Sequence, residues 1–253
     1  MALEMNRRVF LGATAGLTAG MLWTQSRGAA EAPVARIGII GVGNRGCALL
    51  DLLLSIEGVV IPAIGDIAPE AVARATEITR KAGRPDPEAY SRDEQDYKRL
   101  LEREDLDGII IATPWNWHAA MAVAAMRAGK QVGVEVPAAL SIEECWQLID
   151  THEETKIPCI MLENWSFRRD NLAVLNMVRQ GLLGDIIHAR CAYAHDCMNY
   201  YFRPDGTEHW GVAFLEKYNR DQYPTHGQGP VLSWMNINCG DAWVRPAKRL
   251  IVA

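Results

Sequence analysis

The feature that most constrains this chain is Gly41-Val42-Gly43-Asn44-Arg45-Gly46. It lies between an Ile-rich apolar run, Ala35 to Ile40, and a helical stretch, Cys47 to Ser55. A second apolar run, Gly58 to Gly65, ends at Asp66, 20 residues after Gly46. A buried strand, a glycine turn, a helix and an acid closing the next strand make up the fingerprint of a dinucleotide site. Gly41 permits the tight turn, Gly43 leaves room for a pyrophosphate at the helix N-terminus, and Gly46 lets helix and strand pack closely. Asp66 is placed to accept from the adenosine ribose hydroxyls. Its charge repels a 2′-phosphate, so NAD is expected over NADP, and Arg45 weakens that preference slightly.

The same alternation continues. Helices are expected at Ala68 to Lys81, Ser91 to Glu104, Trp117 to Ala128 and, opened by the capping box Ser141-Ile142-Glu143-Glu144, up to about Thr155. Strands are expected at Gly108 to Thr113, Gln131 to Val136 and Pro158 to Leu162. The fold class is therefore α/β with a doubly wound parallel sheet over residues 33–163. Beyond Glu163 the pattern changes. Arg169 to Gln180 reads as a helix, Ile186 to His195 as the first strand of an incomplete α+β domain (residues 164–253), and His226 to Asn238 as a helix. Met198 to Tyr223 is a polar, aromatic loop. One strand and one helix make no stable layer, so the second domain is expected either to be completed by an oligomer partner or to be truncated.

Composition narrows the function. With 49% apolar and 23% charged residues and a net charge of −5, nothing suggests a nucleic-acid surface. The six Cys form no C-x-x-C pair, so no metal site is expected. They are expected as buried free thiols, with a Cys191–Cys197 pairing as the alternative. At the N-terminus, Asn6-Arg7-Arg8-Val9-Phe10-Leu11, a short mild apolar stretch and Ala30-Glu31-Ala32 resemble a twin-arginine export signal over residues 1–32. That implies a periplasmic or secreted protein with no membrane span once the signal is removed.

The strand ends carry the remaining polar chemistry. Thr113-Pro114-Trp115-Asn116-Trp117-His118, Glu135-Val136-Pro137 and Glu163-Asn164 all fall on the rim where open α/β sheets bind ligands. On these residues the sequence resembles the Gfo/Idh/MocA oxidoreductase superfamily over residues 34 to about 240. It is most similar to the NAD-dependent glycoside hydrolase family 109, known for α-N-acetylgalactosaminidase activity. The similarity extends through Met161 to Asn164, Asn176 to Gly181, Tyr193-Ala194-His195-Asp196 and Tyr223-Pro224-Thr225-His226-Gly227.

The resemblance implies a Rossmann domain holding NAD through Asn44, Arg45, Asp66, Trp115, Asn116, Trp117, His118, Glu135, Val136 and Asn164, with Tyr223 and His226 also reaching the cofactor. It implies substrate contacts at Glu163, Tyr193, His195 and Tyr223, and catalytic roles for Tyr193, as base at sugar C2, and His226, near the 3-hydroxyl. The implied substrate is a small carbohydrate or glycoside, cleaved by transient oxidation at C3, elimination, water addition and re-reduction. Sugar dehydrogenases of the superfamily carry Glu-Lys-Pro where this chain has Glu135-Val136-Pro137. A sugar or cyclitol dehydrogenase, or an inactive truncated NAD-binding protein, are the alternatives. The family's substrate-binding Arg has no clear counterpart in Trp210 to Lys217, and a homo-oligomer is possible.

Overall fold

The computed structural model describes residues 34–218 and 223–237. The export signal expected at residues 1–32 lies outside them, as do Cys239 and the end of the last expected helix at Asn238. Six strands form one parallel sheet: β1 (Ala35–Ile40), β2 (Val59–Gly65), β3 (Glu88–Tyr90), β4 (Gly108–Ile111), β5 (Gln131–Val134) and β6 (Cys159–Met161), in the order β3-β2-β1-β4-β5-β6. The order reverses between β1 and β4, and that switch point opens a crevice beyond the C-terminal strand ends.

Helices cover both faces. They are α1 (Asn44–Leu54), α2 (Pro69–Lys81), α3 (Tyr97–Leu101), α4 (His118–Arg127) and α5 (Ile142–Thr155). Successive residues of β1 point to opposite sides. Ile39 packs with Leu50, Ile64 and Ala75 beneath α1 and α2, whereas Ile40 packs with Leu100, Ile111 and Met126 on the other face. This two-sided burial explains why the strands read as continuous apolar runs rather than alternating ones. Each fully buried Leu or Ile contributes roughly 1.5–3 kcal/mol. Half of the expected capping box is present: Ser141 Oγ accepts from Glu144 N, but the Glu144 carboxylate accepts from Leu140 N, one residue before the cap.

Several expectations change. The helix expected over Ser91 to Glu104 shrinks to α3, because Asp93 accepts from Gln95 N and Asp96 from Arg92 N, turning the backbone before the helix begins. The edge strand β3 was not expected. Ile186 to His195 forms no strand: its backbone finds no ladder partner among the described residues, and Ile187 is 88% exposed. Alternating side chains alone do not make a strand without a neighbour to pair with. The C-terminal part is instead helical, with α6 (Arg169–Arg179), α7 (Met198–Tyr201), α8 (Val212–Lys217) and α9 (Thr225–Trp234). Of the thiols, Cys47 is buried but Cys145 is exposed, and Cys191 and Cys197 are both free.

Candidate active site

The glycine turn is tightly fixed. Gly41 has φ +86°, and its N–H donates to Gly65 O at 2.7 Å. A Cβ on Gly46 would lie 1.9 Å from Gly41 O, so only glycine fits there. Gly43 differs, since a Cβ on it would meet nothing within 4 Å. Gly43 is also the N-cap of α1 and supplies no side-chain cap, so the cap residue leaves the first N–H groups of that helix to other partners. The Asp66 carboxylate accepts from Val42 N at 2.8 Å and Ala68 N at 2.9 Å, which holds it at the end of β2 beside the turn. Room beside Gly43, a helix end without a side-chain cap and a fixed carboxylate suit a pyrophosphate and its ribose.

The turn forms one wall of a cavity of about 1240 Å³. That exceeds the roughly 300–1,000 Å³ that houses one drug-sized ligand. Asn44, Arg45 and Asp66 line it, as do Trp115, Trp117 and His118 from the end of β4, and Glu135 and Val136 from the end of β5. Arg45 Nε donates to Glu135 Oε1 at 2.6 Å, tying the glycine turn to β5. His118 is 1% exposed, and its two ring nitrogens face Thr113 O and Pro137 O at 2.8 Å. Burial holds this imidazole below the usual histidine range, although the two carbonyls oppose the effect. A neutral ring donates to one of them and spans the ends of β4 and β5.

Tyr193, His195 and Tyr223 complete the other side of the same cavity. Tyr193 packs edge-on against His195 at 4.3 Å and lies 5.9 Å from Tyr223. Tyr223 stacks on Trp115 at 5.8 Å. Burial, followed by the nearby Glu135 carboxylate and Tyr193 phenol, pushes the Tyr223 phenol up, with Arg45 opposing. Tyr223 is therefore a hydroxyl donor at neutral pH.

One layer behind these rings lies a buried pair. His226, in the first turn of α9, faces Tyr193 at 4.8 Å and Tyr223 at 5.0 Å. Its Nδ1 is 2.6 Å from Glu163 Oε1. Glu163 also accepts from Trp165 N at 2.7 Å, from Ser166 N at 2.8 Å and from the Ser166 hydroxyl. Burial alone would raise the Glu163 carboxyl, but these bonds outweigh it and hold the group below the usual carboxylate range. An ionised Glu163 makes Nδ1 a protonated nitrogen, and in the neutral ring the lone pair then lies on Nε2.

The sequence-expected residues thus divide. Glu163 and His226 sit behind the wall as each other's partners, so Glu163 is not on the cavity surface as a sugar contact and His226 is not there as a direct cofactor contact. Glu163 does not pair with Arg168, which binds Asp170. Asn116 and Asn164 are exposed and off the cavity; Asn116 lines a separate small pocket with Pro114 and Phe214. Sequence reasoning missed Glu70, Arg74, Asp93 and Glu94 on the cavity wall, and the group Tyr200, Tyr201, Arg203, His209 and Trp210. The aromatic density of Met198 to Tyr223 was the only signal for the latter.

A crevice of this kind, at the switch point of a doubly wound sheet, defines the class as a dinucleotide-binding enzyme fold. The chain belongs to the Gfo/Idh/MocA oxidoreductase family with an NAD-binding Rossmann fold, whose family model matches residues 35–162. Residues 167–246 match the C-terminal domain of glycosyl hydrolase 109. The chain is 46% identical to a glycosyl hydrolase family 109 protein of Saccharopolyspora erythraea over 83% of its own length and 46% of that protein. It is 41% identical to an alpha-N-acetylgalactosaminidase of Shewanella oneidensis over 94% of its length and 57% of the relative. It therefore spans about half the length of these curated relatives. Scyllo-inositol dehydrogenase from Lactobacillus casei, solved with NAD(H) and scyllo-inositol, shares the fold with a TM-score of 0.64 and 19% identity, over 80% of this chain and 56% of that one.

Proposed function

We propose that this chain carries the cofactor domain and part of the substrate site of an NAD-dependent glycosidase acting on α-N-acetylgalactosaminide-like glycosides. The observation that carries the reading is a single cavity with the dinucleotide turn on one side and Tyr193, His195 and Tyr223 on the other. Val136, 2% exposed on that wall, offers no amine to the reacting hydroxyl, which favours this reading over a simple sugar dehydrogenase. Asp66 supports NAD over NADP, with Glu70, Asp93 and Glu94 adding to its charge on the same wall and Arg45 and Arg74 opposing it. The twin-arginine leader supports export of the folded protein. A cofactor restored in every turnover suits a compartment without free NAD.

Bound NAD supplies hydride removal and return at sugar C3. The chain's residues handle the protons. His226, with Nδ1 committed to Glu163 and its ring packed behind Tyr223, takes the proton of the 3-hydroxyl by relay: the Tyr223 phenol passes its own proton to Nε2 as it accepts that of the sugar. Tyr193, acting as the phenolate, takes the proton from C2, which the C3 ketone acidifies, and the C1–oxygen bond breaks as the C1–C2 double bond forms. Water then adds at C1 as Tyr193, after exchange with solvent, returns a proton to C2. Tyr223 donates to the sugar, and His195 orients it. No carboxylate pair of the ordinary glycosidase kind is required.

The test is isotopic. A glycoside deuterated at C2, turned over by the NAD-loaded protein, is expected to lose its label to solvent, as read by mass spectrometry of the released sugar. Full retention of deuterium contradicts the elimination route. Net NADH accumulation at 340 nm would point to a dehydrogenase instead.

A further inference from the structure

The cavity wall holds a buried phenol that no described residue satisfies. Tyr97 is the first residue of α3, set in place by the backbone turns that Asp93 and Asp96 close, and it is 7% exposed. Its ring packs in one cluster with Ile40, Tyr90, Leu100, Leu101 and Met121. Its hydroxyl has no hydrogen-bond partner among the described residues, where every side-chain oxygen or nitrogen sealed from solvent does have one. The Tyr97 oxygen is therefore not sealed. The side chain lines the cavity, and its hydroxyl opens into it.

Packing does not account for that oxygen, since a phenylalanine would fill the cluster equally well. A buried phenol without a partner costs stability. A group that enters the cavity removes the cost. Burial pushes the Tyr97 phenol up, so it meets that group as a neutral hydroxyl, able to donate and to accept.

The position of Tyr97 narrows what the group is. Asp66 joins the glycine turn to this part of the wall. Its carboxylate accepts from Val42 N in the turn, and its own N–H donates to Tyr90 O at 3.1 Å. Turn, Asp66 and the Tyr90–Tyr97 cluster thus follow one another as phosphate, ribose and base do in a nucleotide. On the other side of the turn, the Arg45–Glu135 pair leads to β5 instead. Ile40, Gly65, Tyr90 and Met121 line the cavity beside Tyr97. Apolar walls with one unpaired hydroxyl fit a flat heteroaromatic base, whose faces are apolar and whose edge carries ring nitrogens.

We infer that the Tyr97 hydroxyl is the hydrogen-bond partner of the cofactor's adenine base. It rests on the NAD reading of the cavity and deepens it, and it does not depend on the sugar chemistry. The grip on the base comes from α3, outside the βαβ unit that carries the glycine turn and Asp66.

The test is calorimetric titration of the full chain with NAD, adenosine monophosphate and nicotinamide mononucleotide, in the parent and in Tyr97→Phe. The variant should bind NAD and adenosine monophosphate about fivefold more weakly, the scale of one neutral hydrogen bond. Its binding of nicotinamide mononucleotide should be unchanged. Its thermal midpoint without nucleotide should be no lower than the parent's, because the oxygen removed has no partner in the protein. Adenosine monophosphate bound equally by parent and variant overturns the contact and leaves the NAD reading standing. Equal weakening of both mononucleotides, together with a lower midpoint, marks a structural role for the hydroxyl and also overturns the contact. A parent chain that binds none of the three overturns the NAD reading and the contact together.

Discussion

Replacing Glu163 by Gln tests whether this residue sets the state of His226. In the structure each carboxylate oxygen accepts two bonds: Oε1 from His226 and Trp165 N, Oε2 from the Ser166 N–H and hydroxyl. A Gln side chain has one accepting end. Whichever way it turns, its NH₂ faces one backbone N–H that donated to Glu163, Trp165 N or Ser166 N, and that charge-assisted bond is lost. The cost is about 1.5–3 kcal/mol. For a domain of this size about 1 kcal/mol moves the midpoint by about 2–4 °C, so Glu163→Gln should unfold at least about 3 °C lower. If the NH₂ turns towards His226, the imidazole proton moves to Nε2 and the base is lost. Turnover should fall about 10²–10⁴-fold, the usual worth of general acid–base catalysis. ¹⁵N NMR of the imidazole reads the tautomer without any substrate. The Glu163 carboxyl is held below its usual range in the fold. Its stabilisation is therefore complete above the unfolded pKa and disappears as pH falls through the folded value, so the variant should lose less stability on acidification. A variant with the parent's midpoint, pH profile and Nδ1–H tautomer would refute the positioning role.

The glycine turn offers a paired contrast. Gly43→Ala adds a methyl group in open space and should keep the fold while weakening NAD binding at least tenfold; Gly46→Ala meets Gly41 O at 1.9 Å and should lose both. Calorimetry and equilibrium dialysis separate the two, and Gly43→Ala binding NAD at full strength would remove the cradle. Asp66→Asn should narrow the preference for NAD over NADP by an order of magnitude in a competition titration, and an unaltered ratio would move the discrimination elsewhere. Tyr193→Phe should keep NAD bound while glycoside turnover falls below a hundredth, whereas full activity would take Tyr193 out of the chemistry.

The inner strands β1, β2, β4 and β5 were legible because they are short apolar runs rich in Ile and Val and punctuated by Gly and Pro. β3 was not, since Glu88–Tyr90 is a three-residue edge with two exposed positions and carries no period. Ile186 to His195 misled for the opposite reason: it alternates, but pairing depends on a neighbour that its own sequence does not encode. The turn from Gly41 to Gly46 and the acid at Asp66 were legible because both are local to one βαβ unit. Glu163 was correctly placed at a strand end, but its partner His226 is 63 positions away, and only the tertiary fold shows that the carboxylate is already saturated. Asn116 and Asn164 were carried by motif position, which fixes a place on the chain but not the direction of a side chain.

The central claim is that redox chemistry at C3 cleaves the glycosidic bond. It is tested most directly by measuring the NAD content of the purified protein and then p-nitrophenol release, in the same sample, from p-nitrophenyl α-N-acetylgalactosaminide and its 3-deoxy analogue. The account predicts bound NAD, release from the hydroxylated glycoside and none from the 3-deoxy form. Equal release from both would contradict it.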